Sequence, residues 1–272
     1  MSDVVIRQIF YSEQTRAAND HGFLALDNLA NERPDWREYW PMRRHLLTTA
    51  LDEDAYYGFF SPKFKAKTGL DAPAVLEFIR AQRGEPDVVL FSPFFDQSAF
   101  ALNIFVQGSA QHPDIMQTFR ACGALVAPGL NLDTLVMDSR NTVFCNYFAA
   151  RPCFWREWLR VCEMLFAVAE SGTGPLAAAL NADTRHDGAG APVKVFVVER
   201  IASLILATQP HWKTRAYNPL VMPFSNSRIA RFPKELVQLD ALKIALATHG
   251  FAEQLQEFAE LQQRVVAKAV AA

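Results

Sequence analysis

The run Asp87-Val88-Val89-Leu90-Phe91, closed by Ser92-Pro93, restricts the fold more than any other segment of the chain. No polar residue alternates with its apolar ones, so the strand it predicts must be covered on both faces, as in a parallel sheet between helices. Val4 to Tyr11 and Tyr56 to Phe60 are two further β-branched and aromatic runs. Helical patterns separate and follow them. Asp35 to Leu51 sets Trp36, Tyr39, Trp40, Arg43 and Leu47 at three- and four-residue steps, with Pro34-Asp35 as the start signal. Ala72 to Ala81 turns Val75, Leu76 and Ile79 to one face, and Phe154 to Glu170 carries the widest apolar stripe, ending at Ser171-Gly172. The expected fold is α/β, a mostly parallel central sheet flanked by helices.

Asn181 to Pro192 is polar, rich in glycine and proline signals, and predicts an exposed loop. From Glu235 the pattern changes to two helices separated by His249-Gly250. The second carries Phe251, Leu255, Phe258, Leu261 and Val265 at heptad-like steps. Residues 1–235 therefore read as one domain and 236–272 as a helical extension. That extension either packs on the core or pairs with a second copy as a homodimer.

Half of the 272 residues are hydrophobic, enough to bury a large core, and 21 Phe with 5 Trp suit both packing and stacking on flat ligands. The formal net charge is −2 and no Lys/Arg block stands out, which removes the usual footprint of nucleic-acid binding. No segment has the roughly 18 apolar residues in succession that a membrane span needs. Met1-Ser2-Asp3 leads directly into Val4-Val5-Ile6 without a leader pattern, so a cytoplasmic location is expected. Cys122, Cys145, Cys153 and Cys162 lack paired zinc spacing and are expected as free thiols.

Ready-made catalytic motifs are missing. There is no P-loop, no G-x-S-x-G and no H-E-x-x-H, and the six histidines stand singly. Gly172-Thr173-Gly174-Pro175-Leu176-Ala177 has the letters of a dinucleotide loop, but it follows a helix where that loop must follow a strand.

Polar residues gather instead at the ends of apolar runs, where open α/β sheets place their ligand crevice. Asp27 and Asn28, with Trp36, Trp40, Arg43 and Arg44 beyond them, could hold a base, a ribose and a diphosphate; a turn with core tryptophans is the alternative. Ser61 and Lys63 open a cationic turn after the second run, which is equally a solvated loop. Asp138, Arg140, Asn141 and Asn146 interrupt an otherwise buried stretch and form either a structural network or a site. Glu199 and Arg200 lie inside Phe196 to Leu206, where an unpaired charge is costly, so something must compensate them. They are expected to face one cleft with Asp138 and Asn146.

In order along the chain, Asp27-Asn28 before Trp36-x3-Trp40-x2-Arg43, then Tyr57-Gly58-Phe59-Phe60-Ser61, Cys145-Asn146-Tyr147-Phe148 and Glu199-Arg200-Ile201 resemble a bacterial glycosyltransferase-like family. It is the kind encoded with capsule and lipopolysaccharide genes, on the GT-A nucleotide-sugar fold, and the likeness runs over about residues 5 to 210. The resemblance implies a nucleotide-sugar donor, a glycan or lipid-linked acceptor and a divalent ion, Mn or Mg. The family's Asp-x-Asp is not well placed here. Asp52-Glu53-Asp54 precedes a strand, while Asp96 and Asp138 stand as single acids at strand ends. The reading is sugar transfer with Glu199 as the carboxylate base or stabiliser, Asp138 as a second catalytic residue, and Arg43, Arg44, Lys63, Arg140 and Arg200 on phosphate. Its rival is an inactive relative that binds a nucleotide, glycan or protein.

Overall fold

The first strand, β1 (Val4–Phe10), lies between two parallel neighbours, β2 (Leu24–Asp27) and β3 (Tyr56–Phe60). In the computed structural model, which describes residues 3–82, 86–112, 114–186 and 189–271, the central sheet continues through β4 (Val88–Leu90) and β5 (Phe148–Ala150). A short hairpin of β6 (Asp183–His186) and β7 (Ala189–Pro192) stands apart, and β8 (Thr214–Ala216) closes the sheet. The strand order is β2-β1-β3-β5-β4-β8, and β5 alone among the six runs against the others. The sheet is therefore mixed and mostly parallel, with helices on both faces.

Period-two alternation explains the continuous apolar runs. Tyr57 and Phe59 of β3, Val88 and Leu90 of β4, and Phe148 and Ala150 of β5 enter one core with Trp155 and Trp158. Tyr56, Phe60, Val89 and Ala149 enter the other, with Phe64, Val75 and Ile79. Trp155 fixes the first layer to the sheet: its ring stacks on Phe148 at 4.5 Å and its Nε1 donates to the Tyr57 carbonyl at 2.9 Å. The helix that carries it, Pro152–Ser171, starts with Pro in its first turn and stops at Gly172, whose φ of 64° suits glycine.

Two expected elements differ from the sequence reading. The helix from Asp35 is broken into a 3-10 turn, Pro34–Trp36, and a helix, Tyr39–Thr48, because Arg37 takes a φ of 46°. The segment read as an exposed loop is the β6–β7 hairpin, which buries Ala191; residues 187–188 of that segment lie outside the described residues. Gly190 sits close to Asp183, which a Cβ would meet at 3.3 Å, although the composition of the segment signals a turn.

The C-terminal helices Pro233–His249 and Ala252–Ala271 pack on helix Phe95–Phe100. Leu236, Leu239, Phe258, Leu261 and Val265 bury Phe95 and Ala99, so three of the five heptad-like positions are spent inside the chain; Phe251 and Leu255 are exposed. Polar ties reinforce the joint. Lys243, fully buried, donates to the carbonyls of Ser98 (2.5 Å) and Ala101 (2.9 Å), and Asp240 accepts from the backbone and hydroxyl of Ser139. No helix among the described residues is long and apolar enough to cross a membrane.

Candidate functional site

Chain connections leave β1 toward β2 and β3 toward β4, on opposite sides. The carboxyl ends of β1 and β3 are thus a topological switch point, where an open sheet leaves a crevice. The structure has a cleft there. Ile9 and Tyr11 at the end of β1 and Ser61 at the end of β3 line a compartment of about 280 Å³ together with Arg37, Lys63 and Glu199. An ordered water needs only ~10–15 Å³, so a sizeable organic molecule has room. Because β5 is antiparallel, the residues before it, Cys145 and Asn146, come to this same edge and line the adjoining floor with Glu199 and Lys67.

Glu199 is held by a break between two apolar helices, Val193–Val198 and Ile201–Thr208. Its side chain is only partly exposed, and among the described residues its carboxylate has no hydrogen-bond or ion-pair partner. Burial pushes its pKa up and Glu38 adds to that, while Arg200, Lys67 and Arg37 pull it back. A carboxylate so placed is a stronger proton acceptor than one free in water.

Lys67 sits across the floor, its Nζ donating to Cys145 Sγ at 3.1 Å. Burial disfavours its ammonium, but the Cys145 sulfur and the Glu199 and Glu38 carboxylates outweigh this and raise its pKa. Burial holds the Cys145 thiol up at about 11, against the pull of Lys67, so it is a neutral thiol at pH 7. The Asn146 side chain is 6% exposed, and its Oδ1 is buried without a partner. Ser61 Oγ and the Tyr147 hydroxyl share a hydrogen bond of 2.5 Å.

Neighbouring charges behave differently, because they are committed. Arg43 makes a two-point contact with Glu163 at 2.6 and 2.7 Å, and Arg33 bridges Asp35 and Glu170. By contrast Arg37, Glu38, Lys63 and Glu199 all line the cleft, and none has a side-chain hydrogen bond or ion pair among the described residues. Backbone strain gathers at the same place. Of six non-glycine residues with positive φ among the described residues, Asn31, Arg37, Phe94, Cys145 and Asn146 line the cleft or the chamber behind it; Asp114 does not.

The structure separates the residues that sequence reading grouped. Asn28, Trp36, Ser61, Lys63, Asn146, Glu199 and Arg200 border the cleft or the chamber behind it. Trp36 is 1% exposed, however, and its Nε1 donates to Glu170, so it is a wall and offers no stacking face. Several candidates must be corrected. Asp27 is the solvent-exposed last residue of β2, and its Oδ1 accepts from the Leu29 amide; Trp40 donates to Glu32. Arg43 is bound to Glu163, and Arg44 donates to the Asp27 carbonyl. Asp138 is fully buried outside the cleft, accepting from the backbone and guanidinium of Arg140, so neither residue faces Glu199. Arg200 is consumed by packing: Nη1 donates to the Phe196 carbonyl, Nε to that of Ile104, and its face covers Phe119. Arg37 and Glu38 are hidden in the sequence because they fall inside an expected helix, whereas Lys67 belongs to the cationic turn that Ser61 and Lys63 open.

A divalent ion finds no fitting ligand set at the single acids. Asp96 accepts from the Ser225 amide and from the hydroxyls of Ser225 and Ser227, and both oxygens of Asp138 are occupied. Asp52-Glu53-Asp54 lies elsewhere, with Glu53 paired to Arg156. Among the described residues no three His, Cys, Asp or Glu side chains are grouped to hold a metal. Comparison with protein-family models, with curated proteins and with solved structures finds no match for the chain.

Proposed function

We propose that the cleft binds a nucleoside diphosphate sugar and that the protein transfers the sugar to a hydroxyl of a glycan or lipid-linked acceptor. One observation carries this reading: an unpartnered carboxylate, Glu199, shares a switch-point cleft with the uncommitted cations Arg37 and Lys63. The sequential likeness to the GT-A family and the mostly parallel sheet support it. In this arrangement Arg37, Lys63 and Lys67 offset the charge that grows on the departing diphosphate. Glu199 takes the proton of the attacking hydroxyl as its oxygen bonds to the anomeric carbon and the bond to phosphate breaks.

A thermal-shift panel of nucleoside diphosphate sugars, with and without Mn2+, tests the binding. A donor at 100 times its Kd stabilises by about 2.7 kcal/mol, or roughly 5–10 °C in a chain of this size. No response to any donor overturns the reading. A non-enzymatic relative that binds without transferring is favoured by one fact, that Asp96 and Asp138 are spent on structural bonds. It predicts the thermal shift without sugar transfer.

A further inference from the structure

A second chamber, of about 170 Å³, opens beside the floor, and Glu199 and Lys67 line it as well as the first compartment. Its other walls have a different chemistry. Gln97 comes from helix Phe95–Phe100, and Gln107 and Gln111 lie four residues apart, hence on one face, of helix Ile104–Gln111. Gln97 Oε1 accepts from Gln107 Nε2 at 2.7 Å and from Gln111 Nε2 at 3.2 Å. That leaves Gln97 Nε2 and Gln111 Oε1 without a partner among the described residues, one donor and one acceptor at the chamber. Phe94, Phe144 and Phe196 supply apolar faces, and Phe94 is held in place by a left-handed backbone with φ of 61°.

Arg200 is tied to the fold, and Lys67 is shared with the first compartment. Arg200 donates to two carbonyls and lies 3.5 Å from Gln107 Oε1, and Lys67 donates to Cys145. An anionic acceptor would meet Glu199 with Lys67 as its one counter-charge, and the transfer reading already places Lys67 on the donor diphosphate, whereas the first compartment also offers Arg37 and Lys63. The two spaces thus divide the work by charge.

We infer that the second chamber receives the acceptor and that this acceptor presents an uncharged carbohydrate ring, with its hydroxyls on the glutamine amides and its C–H faces on the phenylalanines. The inference rests on the transfer reading above. One acceptor hydroxyl then lies beside Glu199, gives it the proton, and bonds through oxygen to the anomeric carbon. The bonding pair of the broken C–O bond leaves on the diphosphate.

Saturation-transfer NMR and calorimetry on the full chain test it with methyl glucoside, methyl galactoside, methyl mannoside and lactose, set against glucuronic acid and glucose 6-phosphate. Gln97→Leu and Gln111→Leu are compared with the unaltered protein, and nucleoside diphosphate sugar binding is measured separately. The expected result is binding of neutral sugars, weakened about 10-fold in each variant, with donor binding unchanged. Preference for the charged sugars overturns the inference, as does neutral-sugar binding indifferent to both substitutions. Donor binding without any glycoside binding overturns the acceptor chamber and leaves the donor reading intact. Glutamine-dependent glycoside binding with no donor binding does the reverse: it keeps a carbohydrate site and overturns sugar transfer.

Discussion

Replacing Glu199 by Gln keeps the side chain's shape and removes its charge, and structure and mechanism give opposite signs for the two consequences. The carboxylate is partly buried and lacks a partner, so the folded state bears a cost for its ionisation. Access to the cleft keeps that cost at the low end of the range for an unsatisfied buried group, ~1 kcal/mol. Glu199→Gln is therefore expected to melt at the same temperature as the unaltered protein or higher, by about 2–4 °C. Sugar transfer is expected to fall about 10²-fold or more, the contribution of a positioned general base.

The pH dependence sharpens this. Because the folded pKa of Glu199 lies above the ordinary value, the folded state binds more protons than the unfolded one between the two values. Its stabilising contribution is complete below pH ~4 and is lost as pH rises through the folded pKa. The melting difference between variant and parent should then be near zero in acid and open as pH rises. Differential scanning fluorimetry from pH 4 to 8, paired with transfer assays, measures both. A variant that melts far lower while its folded fraction transfers sugar normally makes Glu199 a structural residue. A difference largest in acid refutes the electrostatic argument.

Two further substitutions separate scaffold from site. Asp138→Asn weakens a fully buried carboxylate that accepts from the backbone and guanidinium of Arg140; it is expected to lower the melting temperature through a loss of about 1–3 kcal/mol, with transfer per folded molecule unchanged in the same assay. Truncation after Lys234 removes Leu236, Leu239, Phe258 and the buried Lys243, uncovering Phe95 and Ala99, so aggregation or loss of the cooperative transition is expected in light scattering and calorimetry; a soluble, fully folded product refutes the packing argument.

What the sequence shows of this fold is what depends on short-range pattern. The apolar runs of β1, β3 and β4 are visible because burial on both faces removes every polar residue, and the long helix ending at Gly172 is visible from its stripe and its stop. β5 is too short, at three residues, to announce itself, although its reversed direction is what delivers Cys145 and Asn146 to the cleft. Side-chain partners are harder still. Arg43 and Glu163 are 120 residues apart, so nothing near Arg43 shows that it is already committed. Asp138 was legible as buried and polar, but its partner Arg140 lies two residues on and turns the pair into a closed structural unit.

The cleft is where the consistency between local preference and global fold fails, and that failure is informative. Beside it, charges are paired: Arg33, Asp35, Glu170 and Lys194 form a connected set, and farther off Arg120 pairs with Asp133. Around Glu199 the chain leaves charges uncommitted and strings left-handed backbone through Arg37, Cys145 and Asn146, none of them glycine. Each such residue costs of order 1–3 kcal/mol unless the surroundings over-determine it. In natural sequences conflicts of this kind gather at functional sites. A ligand that offers phosphate to Arg37 and Lys63, and a hydroxyl to Glu199 and the buried Asn146 Oδ1, supplies the partners that the fold withholds.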